Sequence, residues 1–287
     1  MTCVVAESVR KTHNGGVALD GVDLEIPEGR ILGLLGQNGA GKTTFLQAIV
    51  GLLPVEGHLR VLGRDPWRDR SDIMREVSYV ADVSIMPRWL RVSQAFDYVE
   101  GVHPAFDRHK AQEMLATTGI RAHDRVQELS KGLVAQLQLA LAMSVNAKLV
   151  VLDEPTLGVD IVYRNRFFET LLERFAEGDQ TIVIATHDVD EIQHVLTDMA
   201  FMHAGRIVFR CTAEDYENRF VEVHVHPDHI EIARELGPIH ERAAMAGRVF
   251  MYDGGDIERI SLLGDLRTPS LAAVFDGVIS NVQRSAS

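Results

Sequence analysis

The chain has 287 residues, with 29 Lys and Arg against 41 Asp and Glu, a formal net charge of −12. That length suits one large domain or a large and a small one, and 46% apolar residues exclude a disordered chain. The acidic balance argues against a broad nucleic-acid-binding surface, although it leaves room for a local basic groove.

The two cysteines, Cys3 and Cys211, are far apart and have no metal-ligand spacing, which points to a reducing compartment. No apolar run reaches the roughly 18 to 20 residues that span a bilayer. Met1 to Arg10 lacks the basic start and apolar stretch of a secretory signal. The expectation is a soluble intracellular chain whose membrane role, if it has one, comes through a partner.

In chain order, Val17 to Ile26 alternates loosely and reads as a strand that exits through the turn Pro27-Glu28-Gly29. Ile31 to Leu35 is an apolar run ending at Gly36, a buried strand feeding a glycine-rich loop. Thr43 to Leu53 reads as a helix stopped by Pro54. Val77 to Val80, Leu149 to Leu152 and Thr181 to Ala185 read as further buried strands. Between Asp82 and Lys148 the pattern is mostly helical, broken at Pro87 and Pro104. Buried strands alternating with helices predict a doubly wound α/β core carrying an inserted helical subdomain. Past Cys211, Phe220 to Val225 and Arg248 to Tyr252 read as strands with a helix over Asp228 to Leu236 between them, a small α+β appendage.

The strongest local signal is Gly36-Gln37-Asn38-Gly39-Ala40-Gly41-Lys42-Thr43-Thr44, which matches G-x-x-x-x-G-K-[ST] with a strand before it and a helix after it. Such a loop curls so that successive N–H groups point at phosphate oxygens, and the helix adds its positive end. Gly36, Asn38, Gly39, Ala40, Gly41, Lys42, Thr43 and Thr44 are therefore the expected nucleotide contacts. Lys42 is expected to span the β- and γ-phosphates and Thr43 to ligate Mg²⁺.

Leu149-Val150-Val151-Leu152-Asp153-Glu154-Pro155 is an apolar strand ending in two carboxylates. Alternation points them in different directions, which suits two jobs: Asp153 holding Mg²⁺ through water, and Glu154 taking a proton from attacking water. Alone, the pair would read equally well as a solvated strand end. Leu129-Ser130-Lys131-Gly132-Leu133 opens a helix for which Ser130 is a good N-cap.

The order of five motifs makes the reading specific: the phosphate loop, LSKGL, VVLDEP, Gly158-Val159-Asp160, and Ala185-Thr186-His187-Asp188. Over about residues 4 to 211 the chain resembles the ATP-binding cassette (ABC) ATPases, the nucleotide-binding subunits of transporters. The resemblance implies a P-loop NTPase core with a β-rich N-terminal part, spanning 1–211, a helical subdomain at about 83–148, and an appendage over 212–287. It implies a head-to-tail dimer, of two copies or of two related chains, sandwiching two ATP. Ser130 and Gly132 would then meet the γ-phosphate held by the other subunit, His187 would contact the same phosphate, and Asp160 would communicate across the interface. A separate transmembrane permease subunit is the implied partner, with the chain cytoplasmic and peripheral on the inner face of the membrane.

Three positions depart from the family pattern. Asp82 stands where glutamine is usual; aspartate can ligate Mg²⁺, but it is shorter and charged. His13 stands where an aromatic usually stacks on adenine, and Lys131 replaces a glycine. Elsewhere, His224, His226 and His229 offer a metal-ligand set, with an exposed strand edge and loop as the favoured alternative. Ile85, Met86, Trp89 and Leu90 form an apolar cluster where the family receives a helix of the membrane subunit, and core packing explains them equally well. Thr268 to Phe275 resembles the tail of export-type cassettes. The expected function is ATP hydrolysis driving an exporter. The alternatives are a soluble cassette ATPase in regulation or in nucleic-acid or ribosome work, and an ATP-sensing switch in which Asp82 disables hydrolysis.

Overall fold

A computed structural model describes residues 1–13, 15–81, 86–178, 180–245 and 247–285. Asp82 and Ile85 lie outside the described residues, as does the expectation for Asp82.

The central sheet has six strands in the order Val77–Val80, Leu149–Asp153, Thr181–Thr186, Ile31–Leu35, Asp198–His203 and Arg206–Thr212. The first five run parallel and the last is antiparallel. Ile31–Leu35, Leu149–Asp153 and Thr181–Thr186 are buried at every position, as strands covered on both faces must be. Because these strands are parallel, Leu35, Asp153 and Thr186 all end at one edge of the sheet. In open α/β sheets ligands bind outside that edge.

A three-stranded antiparallel sheet stands beside this core in the order Gly16–Pro27, Thr2–His13, Glu56–Val61. Leu19, Val22, Leu24 and Ile26 form the buried side of the strand that alternation indicates. The helix after the phosphate loop is shorter than expected, Lys42–Ile49. Gly51, at φ 66°, stops it. The Leu52 N–H reaches the Gln47 carbonyl at 2.8 Å and the Gly51 N–H reaches Ala48 at 3.0 Å. This paired closure ends a helix on a left-handed glycine, three residues before Pro54 can act.

Within the helical region lie Val92–Val102, Arg108–Leu115 and Lys131–Met143. They close over Val92, Phe96, Ala111, Leu115, Leu137 and Leu141. The C-terminal part is a β-α-β-β-α-β unit with strands ordered His240–Ala244, Gly247–Asp253, Phe220–Val225, Leu266–Arg267, each antiparallel to its neighbours. This is the split βαβ arrangement. Val221, Val223 and Val225 point into its core with Phe250 and Tyr252, as their alternation requires. The expected helix over Asp228 to Leu236 is a 3₁₀ turn, Pro227–His229, followed by Ile230–Glu235.

A last helix, Leu271–Ser285, ties this unit to the core. Phe275 meets Phe201 of the central sheet edge-on, with ring centroids 5.2 Å apart. Gly277, on the same helix, lies against Met251 and His240 of the appendage sheet. Among the described residues, no helix is long and apolar enough to cross a membrane.

Candidate nucleotide site

The phosphate loop is fixed by close backbone packing. A Cβ on Gly36 would stand 2.6 Å from the Met202 carbonyl oxygen, and one on Gly41 2.5 Å from that of Ala18. Gly41 also has φ 107°, a region that side chains with a Cβ rarely enter. The loop is thus pressed between the strand Asp198–His203 and the N-terminal hairpin. Gln37, Asn38 and Gly39 remain exposed and Ala40 is buried. The helix that follows has no acidic residue in its first turn, which leaves its positive end to an anion.

Lys42 opens that helix with its side chain only 6% exposed. Its Nζ donates to the carbonyls of Gly36 at 2.6 Å and Gln37 at 3.4 Å. The same ammonium lies 3.5 Å from Glu154 Oε1. Glu154, at φ 47°, turns sharply off the end of the strand Leu149–Asp153, while Asp153 stays 1% exposed inside it. Residues held in that left-handed region cluster at functional sites. Glu154 Oε2 accepts from Thr186 Oγ1 at 2.8 Å, and Oε1 lies 3.0 Å from His187 Nδ1. Lys42, Glu154 and His187, distant in sequence, therefore form one contiguous group at the carboxyl edge of the sheet. The Thr186 hydroxyl, which no spacing rule marks, completes it.

This pocket suits a magnesium–nucleotide. The loop packs too tightly for a Cβ at Gly36 and Gly41, the Lys42 ammonium faces Glu154, and the Thr43 hydroxyl and Asp153 carboxylate are oxygen donors of the kind that Mg²⁺ takes alongside phosphates. Thr43 is exposed on the first turn and Thr44 half-buried.

The second motif group lies at the start of the helix Lys131–Met143 and on the turn that follows the Glu154 segment. Ser130 caps the helix Lys131–Met143, its Oγ accepting from the Leu133 N–H at 3.3 Å, and it is exposed. A Cβ on Gly132 would lie 3.0 Å from the Gly158 carbonyl oxygen, so this helix start abuts the Gly158-Val159-Asp160 turn. Asp160 is engaged within the chain. It caps the helix Ile161–Glu177 by accepting from the Val162 and Tyr163 N–H groups at 3.1 and 3.0 Å, and Gln136 Nε2 donates to its other oxygen at 3.1 Å. Leu157, Ile161 and Val162 beside it are exposed.

His13 ends the strand Thr2–His13 at the hairpin tip, paired with Gly16 and exposed. The metal reading of the other histidines fails. His224, His226 and His229 are all exposed, His226 faces Asp228 at 3.1 Å, and among the described residues no three His, Cys, Asp or Glu side chains converge to hold a metal ion. Cys3 and Cys211 are buried free thiols. Burial pushes their pKa up to about 11 and about 12, so both stay protonated. Of the apolar cluster, Trp89 is exposed, while Met86 and Leu90 pack against the helical subdomain.

The ABC transporter family model matches residues 19–157, from the N-terminal hairpin through the strand-end carboxylates. The chain is similar to Nod factor export ATP-binding protein I of Cupriavidus metallidurans, 30% identical over 274 residues covering 88% of this chain and 86% of that protein. It belongs to the ABC transporter ATP-binding proteins. The cassette is also similar to the ABC transporter ATP-binding protein YtrB of Bacillus subtilis, at 25% identity across 90% of this chain and 89% of YtrB. The daunorubicin/doxorubicin resistance ATP-binding protein DrrA of Streptomyces peucetius is 29% identical over 72% of this chain and 64% of DrrA.

Two solved structures share the fold. The ATP-binding subunit of an ABC transporter superposes with TM-score 0.68 at 20% identity, covering 76% of this chain and 92% of that one. A dimeric cassette in a post-hydrolysis state with ADP and Pi superposes with TM-score 0.66 at 20% identity, covering 73% and 98%. The cassette is an ATPase of mixed α/β, P-loop NTPase fold.

Proposed function

We propose that this chain is the ATP-hydrolysing subunit of an export-type transporter, working on a separate transmembrane permease at the inner face of the membrane. Two copies, or this chain and a near relative, close around two ATP. Residues 1–211 form the cassette with its helical subdomain at about 83–148, and 212–287 the appendage. The relatives named for Nod factor export and for daunorubicin and doxorubicin resistance support the outward direction.

In this reading Gly36, Asn38, Gly39, Ala40, Gly41 and Thr44 line the phosphates, and His13 stacks on adenine. Lys42 leaves Glu154 and moves onto the β- and γ-phosphates. Thr43 and Asp153 would hold Mg²⁺, which would offset charge on the phosphate oxygens. Glu154 accepts a proton from water as its oxygen bonds to the γ-phosphorus and the bond to the ADP oxygen breaks. His187 steadies that phosphate, while Ser130 and Gly132 of the second copy close over it and Asp160, which braces its own turn, communicates across the interface. Phosphoryl transfer asks for this kind of positioning and charge stabilisation rather than covalent chemistry.

The observation that carries the reading is the Glu154 carboxylate, held between Lys42 at 3.5 Å and His187 at 3.0 Å above a phosphate loop. Phosphate release tests it: Glu154→Gln lowers turnover by about 10²- to 10⁴-fold, the range of a general base, with ATP binding retained. Parental turnover in that variant would remove Glu154 as the base.

A further inference from the structure

Glu191 lies outside the phosphate-contacting residues, on the short helix Val189–Ile192 that follows His187. Its two carboxylate oxygens reach two other segments. Oε2 accepts from Thr156 Oγ1 at 2.8 Å, and Oε1 is ion-paired with Arg164 Nη1. Thr156 is buried and follows Glu154 by two residues, across Pro155. Arg164 stands one turn into the helix that Asp160 caps, its N–H bonded to the Asp160 carbonyl at 3.0 Å, and its Nη2 reaches the Val159 carbonyl at 3.4 Å. One side chain thus connects the segment bearing His187, the segment bearing Glu154 and the turn bearing Asp160.

The Glu191 side chain is 14% exposed and that of Arg164 25%. Desolvating two charges at such a site cancels much of their attraction, so retaining them points to geometry rather than net stability. Burial, followed by the nearby Asp188 carboxylate, raises the Glu191 pKa. The geometry that needs holding is the 3.0 Å contact of Glu154 with His187, whose two backbone segments meet at Glu191.

We infer that Glu191 and Arg164 are positioning residues for ATP hydrolysis, locking the His187 segment against the Glu154–Thr156 turn and the Asp160 helix. This rests on the reading of Glu154 and His187 given above. Displacing a reacting group by about 1 Å costs up to 10²-fold in rate without weakening ground-state binding. Each variant of the full chain is assayed for Mg-ATP turnover, for affinity toward a fluorescent N-methylanthraniloyl-ATP, and for thermal unfolding.

Glu191→Gln, nearly isosteric, is expected to lower kcat by about 10- to 100-fold while KM and analogue affinity stay at parental values and the unfolding midpoint does not fall. Arg164→Gln is expected to do the same, and the double variant to lose no more than either single one, because both break one linkage. If Glu191→Gln does not fold, Arg164→Gln supplies the same readouts. Parental kcat, a parallel loss of affinity and unfolding midpoint, or additive losses in the double variant would overturn the inference. Glu154→Gln serves as the control: if it is inactive while Glu191→Gln is not, only the positioning role fails, whereas an active Glu154→Gln removes the site reading itself.

Discussion

Lys42 Nζ and Glu154 Oε1 stand 3.5 Å apart in a pocket where both side chains are nearly buried. The cation expected to meet the γ-phosphate and the carboxylate expected to activate water are therefore each other's partners in the chain alone. In the proposed reading, nucleotide entry draws Lys42 onto the phosphates and so frees the Glu154 carboxylate as a phosphate arrives.

This makes Lys42→Ala doubly costly. It removes the charge that meets phosphate and leaves Glu154 without its ammonium. A hydrogen bond to a charged group contributes about 1.5 to 3 kcal/mol. At about 1.4 kcal/mol per decade, ATP affinity should fall by about 10- to 150-fold. Titration with a fluorescent ATP analogue checks this, and affinity within twofold of the parent would contradict it.

The phosphate loop makes a prediction about stability rather than chemistry. Gly41→Ala must hold a Cβ at φ 107° and 2.5 Å from the Ala18 carbonyl oxygen. Such backbone strain costs of order 1 to 3 kcal/mol, and denaturant unfolding of the variant should register a loss in that range. An unchanged midpoint would mean that the loop relaxes away from the hairpin without penalty.

The last helix links the appendage to the carboxyl edge of the central sheet. Phe275 is buried against Phe201, and Leu271, Val274 and Phe275 share a core with Val189 and Ile192, the helix just beyond His187. The same helix walls a cleft of about 470 Å³ facing Gln37, Asn38 and His187. Phe275→Ala should lower stability by about 3 to 5 kcal/mol, the usual cost of emptying a buried aromatic site. Turnover should fall more than nucleotide affinity, because His187 loses support while the phosphate loop does not. Equal losses of both would argue against this route.

Glu191 makes a prediction about pH. The groups facing it are Asp188 on the adjoining turn, Arg164 on the helix Ile161–Glu177 and the Thr156 hydroxyl. Its pKa is raised by burial first and then by Asp188, against the opposing pull of Thr156 and Arg164. A carboxyl whose folded pKa lies above its unfolded value favours the fold at low pH, and that contribution is lost as pH rises through the folded value. Glu191→Gln should then be at least as stable as the parent at neutral pH, with the difference closing as pH falls into the range where Glu191 is protonated. Thermal unfolding across pH checks this, and a variant less stable at neutral pH would reverse the sign.

How much of this was legible in the sequence differs from element to element, for physical reasons. Ile31–Leu35 and Leu149–Asp153 announce themselves as unbroken apolar runs because both faces of a parallel strand are covered. Thr2–His13 does not: its pairing shifts register after Ala6 and Ser8 takes φ 50°, so the two-residue period is broken. Asp198–His203 is built from Met, Ala and Phe with no β-branched residue and lacks the usual strand composition. Leu266–Arg267 is too short to carry a pattern.

At the site, the glycines and Lys42 are legible because a phosphate-binding loop requires those residue types at that spacing, Glu154 becomes so only beside that loop, and His187 only through the family resemblance. The contacts of Glu154 with Thr186 and of Glu191 with Arg164 are not, since they arise from segments that only the fold brings together. The Gln136 contact likewise commits Asp160 to this chain, which no motif states.

In the proposed dimer, two chains trap ATP between the Lys42 loop of one and the Ser130 helix of the other. It is tested by the solution mass of Glu154→Gln from light scattering with and without saturating Mg-ATP, alone and with a candidate transmembrane partner. The expected result is two chains per particle with nucleotide, reverting on its removal and abolished by Ser130→Arg. A chain that stays single under saturating Mg-ATP in both settings would contradict it.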